Sequence, residues 1–307
     1  MKTGEKKGFT LVELLTAVAI VIMLLGLLMP ALSLVRKLAN QTKQKAQIGS
    51  IEIALNMYKN DFGQYPPSHG WKTTASDHND YHYSGAQTLA EALVGYDLLG
   101  VHSDSVFRAD GKDNSTPTNQ ILYPSDPNKT NLSKRKGPYI DRTNVGVFEP
   151  NDIFVNTSYF SFPGKYPQRY MICDVFTALS KRIGGKTYKI GTPVLYFRAN
   201  PSANNTVLMP YLVQNDHLNN IYNYCDNYDL ISAGRISDGT AHELNKTTVY
   251  GDAFYKFIRD QMIPIFSNPV GNYGRPVKPD SFLLISAGAD GIYGTKDDIC
   301  NFEPNIE

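Results

Sequence analysis

Three acids near the C-terminus, Asp290, Asp297 and Asp298, fall within one glycine-rich stretch, DSFLLISAGADGIYGTKDDI at 280–299. Carboxylates so close in sequence repel unless a cation relieves them. Ca²⁺ accepts about six to eight oxygen ligands in irregular geometry, backbone carbonyls included. Gly288, Gly291 and Gly294 give the chain freedom to turn carbonyls inward. The spacing is not that of an EF-hand, which needs acids at alternate positions and a closing glutamate. A solvated acidic turn is the alternative.

A fourth acid stands in stranger company. Glu13 is the one charged residue of an apolar run, GFTLVELLTAVAIVIMLLGLLMP, from Gly8 to Pro30. Phe9 to Met29 would reach roughly 30 Å as a helix, the thickness of a bilayer's hydrocarbon. A carboxylate there costs a few kcal/mol and calls for a partner. Cleavage between Gly8 and Phe9 would create one, the new α-amino group of Phe9. A neighbouring helix shifted by about one turn would pair that amine with Glu13 between subunits, which favours lateral self-association.

Other candidates carry less. His78 and His82 have the spacing of two ligands on a helix, but DHNDYHYSG is loop-like and offers no cysteine. Gly185-Lys186-Thr187 lacks the earlier glycine that a phosphate loop needs, because position 180 is a serine. No GxSxG, HExxH or Walker sequence is present. Net charge is +1 with no global basic patch to argue for nucleic acid. An enzyme is not expected.

The order Lys6, Lys7, Gly8, Phe9, Thr10, Leu11, Val12, Glu13 resembles the class III signal of type IV pilins and type II secretion pseudopilins. The resemblance implies a prepilin peptidase that cuts after Gly8 and methylates Phe9, with Glu13 directing assembly. MYKNDFGQYPPS, from Met57, is similar to the end of the long helix of major pseudopilins. The 280–299 stretch resembles the calcium loop that ends their globular domain, which adds Ser286 to Asp290, Asp297 and Asp298 as a metal-site residue. The likeness is dense over 6–67 and 280–299 and weak between them. Two departures are a shorter glycine-rich interval and an extension containing Cys300.

These sites must be positioned by a long helix and a sheet. Ile48, Ile51, Leu55, Tyr58 and Phe62 recur at steps of three and four, one helical stripe to bury against strands. Pro30 is expected to bend the helix without ending it, and Gly63 to stop it. The polar section between Leu38 and Ile48 calls for water or a filament neighbour. Beyond the helix we expect a polar loop at 71–85, a short helix at 86–99 and a long loop at 101–138. Strands are expected at 145–148, 153–155, 159–162, 170–176 and 193–197, a helix at 252–263 and a strand at 282–285. Leu230-Ile231-Ser232-Ala233-Gly234 recurs as Leu284-Ile285-Ser286-Ala287-Gly288, and both copies read as strand-to-turn junctions. Cys173, Cys225 and Cys300 allow one disulfide in an oxidising compartment, with pairing open.

The expectation is therefore an α+β chain: a leader at 1–8, a transmembrane and assembly helix at 9–62, and a globular domain at 63–307 closed by the loop at 286–299. The resemblance implies a structural pseudopilin of the bacterial inner membrane with its domain in the periplasm, polymerising with itself and minor pseudopilins through an assembly platform. Calcium is the expected cofactor. A type IV pilin of a surface fibre and a membrane-anchored exported binding protein are the alternatives. An ordinary secretory signal ending near Ala31-Leu32-Ser33 competes with the prepilin reading. Lysines and arginines flank the apolar run on both sides, so charge does not choose its orientation.

Overall fold

The computed structural model describes residues 8, 10–70, 83–115, 119–124, 131–154, 169–203, 220–246, 251–264, 266–268 and 271–306. It divides into two compact units, 1–42 and 43–307. One helix, α1 (Leu11–Phe62), runs through both and is continuous across Pro30. It is long and apolar enough to cross a membrane.

In the first unit the apolar side chains of α1 are exposed. Leu11, Val12, Met23, Leu24 and Leu28 are all more than 60% exposed, and these positions ring the helix instead of forming one stripe. Its start is closed by a capping box. Thr10 Oγ1 accepts from the Glu13 amide at 3.3 Å, and Glu13 Oε2 accepts from the Thr10 amide at 2.9 Å.

The second unit is α+β. Its first element is the C-terminal part of α1, where Ile48, Ile51, Leu55 and Tyr58 are buried as the stripe requires. Gly63 ends the helix at φ +78°, its amide returning to the Lys59 carbonyl at 2.7 Å. The polar section behaves differently from the expectation. Gln44 and Gln47 are buried: Gln47 Nε2 donates to the Cys173 carbonyl at 2.8 Å, and Gln44 Oε1 accepts from the Val175 amide at 2.9 Å. Each spends one amide atom on the strand edge at 173–175, while Gln44 Nε2 and Gln47 Oε1 are buried without a hydrogen-bond partner.

Next come α2 (Gly85–Leu93), β1 (Val101–His102) and β2 (Arg135–Lys136), β3 (Gly146–Phe148), α3 (Pro150–Ile153) and β4 (Met171–Cys173). Leu89 and Leu93 lie inward on α2, whereas Tyr96 lies beyond its end, stacked on Tyr123 at 4.5 Å. The long loop is pinned by an antiparallel β1–β2 pair. Of the strand expected at 153–155, Ile153 instead ends α3, whose first turn Pro150 pre-sets after Glu149; Phe154 has extended backbone, and residue 155 lies outside the described residues. The expected strand at 159–162 lies outside the described residues.

A hairpin absent from the expectation follows, β5 (Leu179–Ile183) and β6 (Lys186–Ile190). Gly184 and Gly185 supply its two positive-φ positions, so the Gly-Lys-Thr sequence is a turn entering a strand. Then come β7 (Leu195–Arg198), α4 (Tyr228–Ala233), α5 (Asp252–Phe257), β8 (Phe266–Asn268), β9 (Gly271–Tyr273), β10 (Phe282–Ser286) and β11 (Ile299–Cys300). Helix α5 stops well before 263, leaving Met262 exposed while Phe254, Phe257 and Ile258 are buried.

β10 is the centre of an antiparallel sheet in the order β11-β10-β7. Both faces are covered. Leu195, Phe197, Leu283 and Ile285 join Tyr222, Tyr224, Ile231, Phe254 and Tyr293 on one side. Tyr196, Phe282, Leu284 and Ile299 join Ile51, Leu55, Leu89 and Leu93 on the other. Alternation along β7 and β10 thus feeds two cores, and this explains why these strands read as unbroken apolar runs.

Candidate functional site

The acidic loop leaves the end of β10 and returns as β11. Ser286 pairs with Ile299 across the base, and the carboxylates hold the span between them. Asp297 Oδ2 accepts from the amides of Ala289 and Asp290 at 2.7 and 3.0 Å, and Asp297 Oδ1 accepts from the Thr295 hydroxyl at 2.6 Å. Asp290 Oδ1 accepts from the Ile292 amide at 2.8 Å, and Asp298 Oδ2 from the Gly294 amide at 2.7 Å. Gly288 is required here: at φ +66°, a Cβ would meet the Asp297 carbonyl oxygen at 2.2 Å.

The three expected acids are therefore brought together, but each caps loop amides. Among the described residues no group of three or more His, Cys, Asp and Glu side chains forms a ready metal cluster. Ser286 points away from them. It is fully buried and donates to Asp174 Oδ2 at 3.1 Å. Asp174, missed in the sequence, lies beneath the loop and accepts from the amides of Phe176 and Thr192, both at 3.1 Å.

Charge in this region is held under stress. Burial pushes the Asp174 carboxyl up to about 8, with the Asp297 charge adding to it against its hydrogen bonds. Asp298 is likewise pushed up to about 8, by burial and then by Asp297 and Asp290. Asp290 is raised by burial and by Asp297. Asp297 also feels burial, but the Thr295 hydroxyl and the loop amides outweigh it and hold its carboxyl low. The donor set is all oxygen, and burial and mutual repulsion penalise its ionisation, which a hard cation would relieve. Asp297, already with three hydrogen bonds, has the least acceptor capacity left of about four lone-pair sites; Asp290 and Asp298 have more.

A second segment braces the loop. Arg235, ion-paired with Asp238, donates from Nη1 to the Asp290 carbonyl at 3.4 Å. His242 Nδ1 accepts from the Tyr293 amide at 3.1 Å, and burial lowers this imidazole to about 4, so it is neutral. Tyr293 is buried and donates its hydroxyl to the Pro193 carbonyl. Nothing in the separate runs around 193, 235–242 and 293 announces that they meet.

At the other end, Gly8 is exposed, Phe9 lies outside the described residues, and Glu13 is exposed with its carboxylate on Thr10. His78 and His82 also lie outside the described residues. All three cysteines are thiols, Cys173 buried and Cys225 and Cys300 partly so. Comparison with family models, with curated proteins and with solved structures finds no match for this chain.

Proposed function

We propose that this chain is a filament subunit of the pilin and pseudopilin kind, anchored in the bacterial inner membrane by its N-terminal helix and carrying its globular unit in the periplasm. The observation that supports the reading is α1 itself. One uninterrupted helix is apolar around its circumference from Leu11 to Met29, apart from Glu13, and amphipathic from Ile48 to Phe62. Its backbone polar groups are satisfied internally, as hydrocarbon demands. The exposed apolar surface suits lipid first and other copies of the helix afterwards, so that membrane storage and filament packing use the same face.

In this reading Glu13 is the one charge at that surface and the determinant of register between copies. Processing at Gly8 and methylation at Phe9 would place an amine opposite it. Minor pseudopilins, a prepilin peptidase and an inner-membrane platform are the partners this mode of assembly requires. The protein has a structural role in type II secretion and no catalytic one.

Within the same reading, Asp290, Asp297 and Asp298 would hold Ca²⁺ with loop carbonyls, and the ion would supply positive charge that lets all three stay ionised. Ser286 would support the loop from below through Asp174.

The experiment is mass spectrometry of the N-terminus of protein purified from its own host membranes. A chain beginning at N-methylated Phe9 supports the proposal. A chain beginning near Leu34, or retaining Met1, overturns it.

A further inference from the structure

A pocket of about 360 Å³ lies on the globular unit, away from the acidic loop. Its walls are the segment after α1 (Pro67 to His69), the chain following β7 (Arg198 to Ser202) and the segment around Asn220 to Asp226. That volume is at the small end of ligand sites, enough for a metabolite of a few heavy atoms.

What distinguishes it is Asp226. This side chain is only 4% exposed, yet it lines the pocket. The Ser68 hydroxyl donates to Oδ2, while Oδ1 reaches no hydrogen-bond partner of normal geometry. Burial raises the carboxyl to about 6, with His69, Ser68 and the Asn223 side chain pulling the other way. A carboxyl buried with one oxygen short of a donor is a costly arrangement for a group with no function.

The opposite charge is in the same pocket. Arg198 spends one guanidinium nitrogen on Gln64 Oε1 at 3.1 Å and has five N–H donors in all. Asn200, Asn220 and Asn223 line the same pocket, with Ile221 as an apolar contact. An anion site would not bury a carboxylate, and a polyol site has no use for a full charge of each sign.

From this geometry we propose that the pocket binds a small zwitterion of the α-amino acid class, its ammonium on Asp226 and its carboxylate at Arg198. The inference does not depend on filament assembly, since every residue involved belongs to the globular unit.

The test is calorimetric titration of the full-length, detergent-solubilised protein with L-alanine, ethylammonium, acetate and glucose. Alanine should give saturable heat, the two half-ligands weaker binding and glucose none. Asp226→Asn, which can still accept from Ser68, should weaken alanine by at least about tenfold, the loss of one charge-assisted hydrogen bond. Arg198→Gln should do the same while leaving ethylammonium unaffected, and it keeps the test decisive if the Asp226 variant does not fold. Absence of saturable heat with alanine overturns the proposal. So does unchanged alanine affinity in a folded variant, or binding of glucose alone.

Discussion

Glu13 and Thr10 close on each other: the Thr10 amide and hydroxyl both donate to Glu13 Oε2, at 2.9 and 2.8 Å. The carboxylate proposed to set register between subunits is thus also the one that caps its own helix. These two jobs separate by charge. Glu13→Gln keeps an acceptor for Thr10 but has no charge to pair with an amine. It should leave the protein in the membrane with normal helicity and abolish its recovery in filaments. Thr10→Ala should cost about 0.5–2 kcal/mol of helix capping and reduce filament yield only modestly. Filaments of Glu13→Gln at wild-type abundance would leave capping as the whole role of this residue.

Gln44 is the more exacting of the two buried glutamines, because it supplies the acceptor for the Val175 amide from a helix 131 residues earlier. Gln44→Leu removes that acceptor in a dry contact and should destabilise the globular unit by about 1–3 kcal/mol. Lys45→Ala, one residue along on the exposed face, should stay within about 0.5 kcal/mol. Chemical denaturation of both variants, followed by tyrosine fluorescence, measures the difference. Equal midpoints would mean that the helix docks by its apolar stripe alone.

The helix stripe and its glycine stop were legible because each follows from one local rule, periodicity or a positive φ. The pentapeptide Leu-Ile-Ser-Ala-Gly shows where local rules end. At 284–288 it forms the end of a central strand, its side chains buried in both cores; at 230–234 it forms the last residues of α4 and a Gly234 stop at φ +76°. Five identical residues take two structures because neighbouring strands supply ladder bonds to one copy and none to the other. The acidic loop was legible as a cluster of acids, since those are close in sequence. Its supports were not: Asp174, Arg235 and His242 reach it from over 50 residues away, and no spacing encodes that. The Thr10-x-x-Glu13 capping box is legible too, since a threonine followed three residues later by a glutamate at the head of an apolar run is a local rule.

If Ca²⁺ relieves the crowding of Asp290, Asp297 and Asp298, then adding it should raise the melting temperature of the globular unit and chelation should lower it. At a concentration about a hundredfold above the dissociation constant, the gain is about 2.7 kcal/mol. Asp290→Asn should remove most of the calcium-dependent shift while changing the calcium-free melting point little, because the Ile292 amide keeps an acceptor oxygen. A melting curve indifferent to calcium and chelator would make the loop a self-capped acidic turn.

Glu91 gives a stability effect with a defined direction in pH. It is buried on α2, and its Oε1 accepts from the Ser105 hydroxyl at 2.7 Å and the Tyr123 hydroxyl at 3.3 Å. Burial raises its carboxyl to about 6, although Ser105, Tyr83, Tyr123 and the Arg169 charge all pull it down. The unfolded chain releases this proton near 4.5. Between about pH 4.5 and 6 the folded state therefore holds a proton that the unfolded state has lost, and stability falls as pH rises through that window. Above it the cost is constant, on the order of 2 kcal/mol. Glu91→Gln keeps an acceptor for Ser105 and Tyr123 and removes the titration. The variant should be more stable than the wild type at pH 7 and equal to it below pH 4.5. Denaturation midpoints of the two proteins that stay parallel from pH 4 to 7 would show that Glu91 titrates as an ordinary carboxylate.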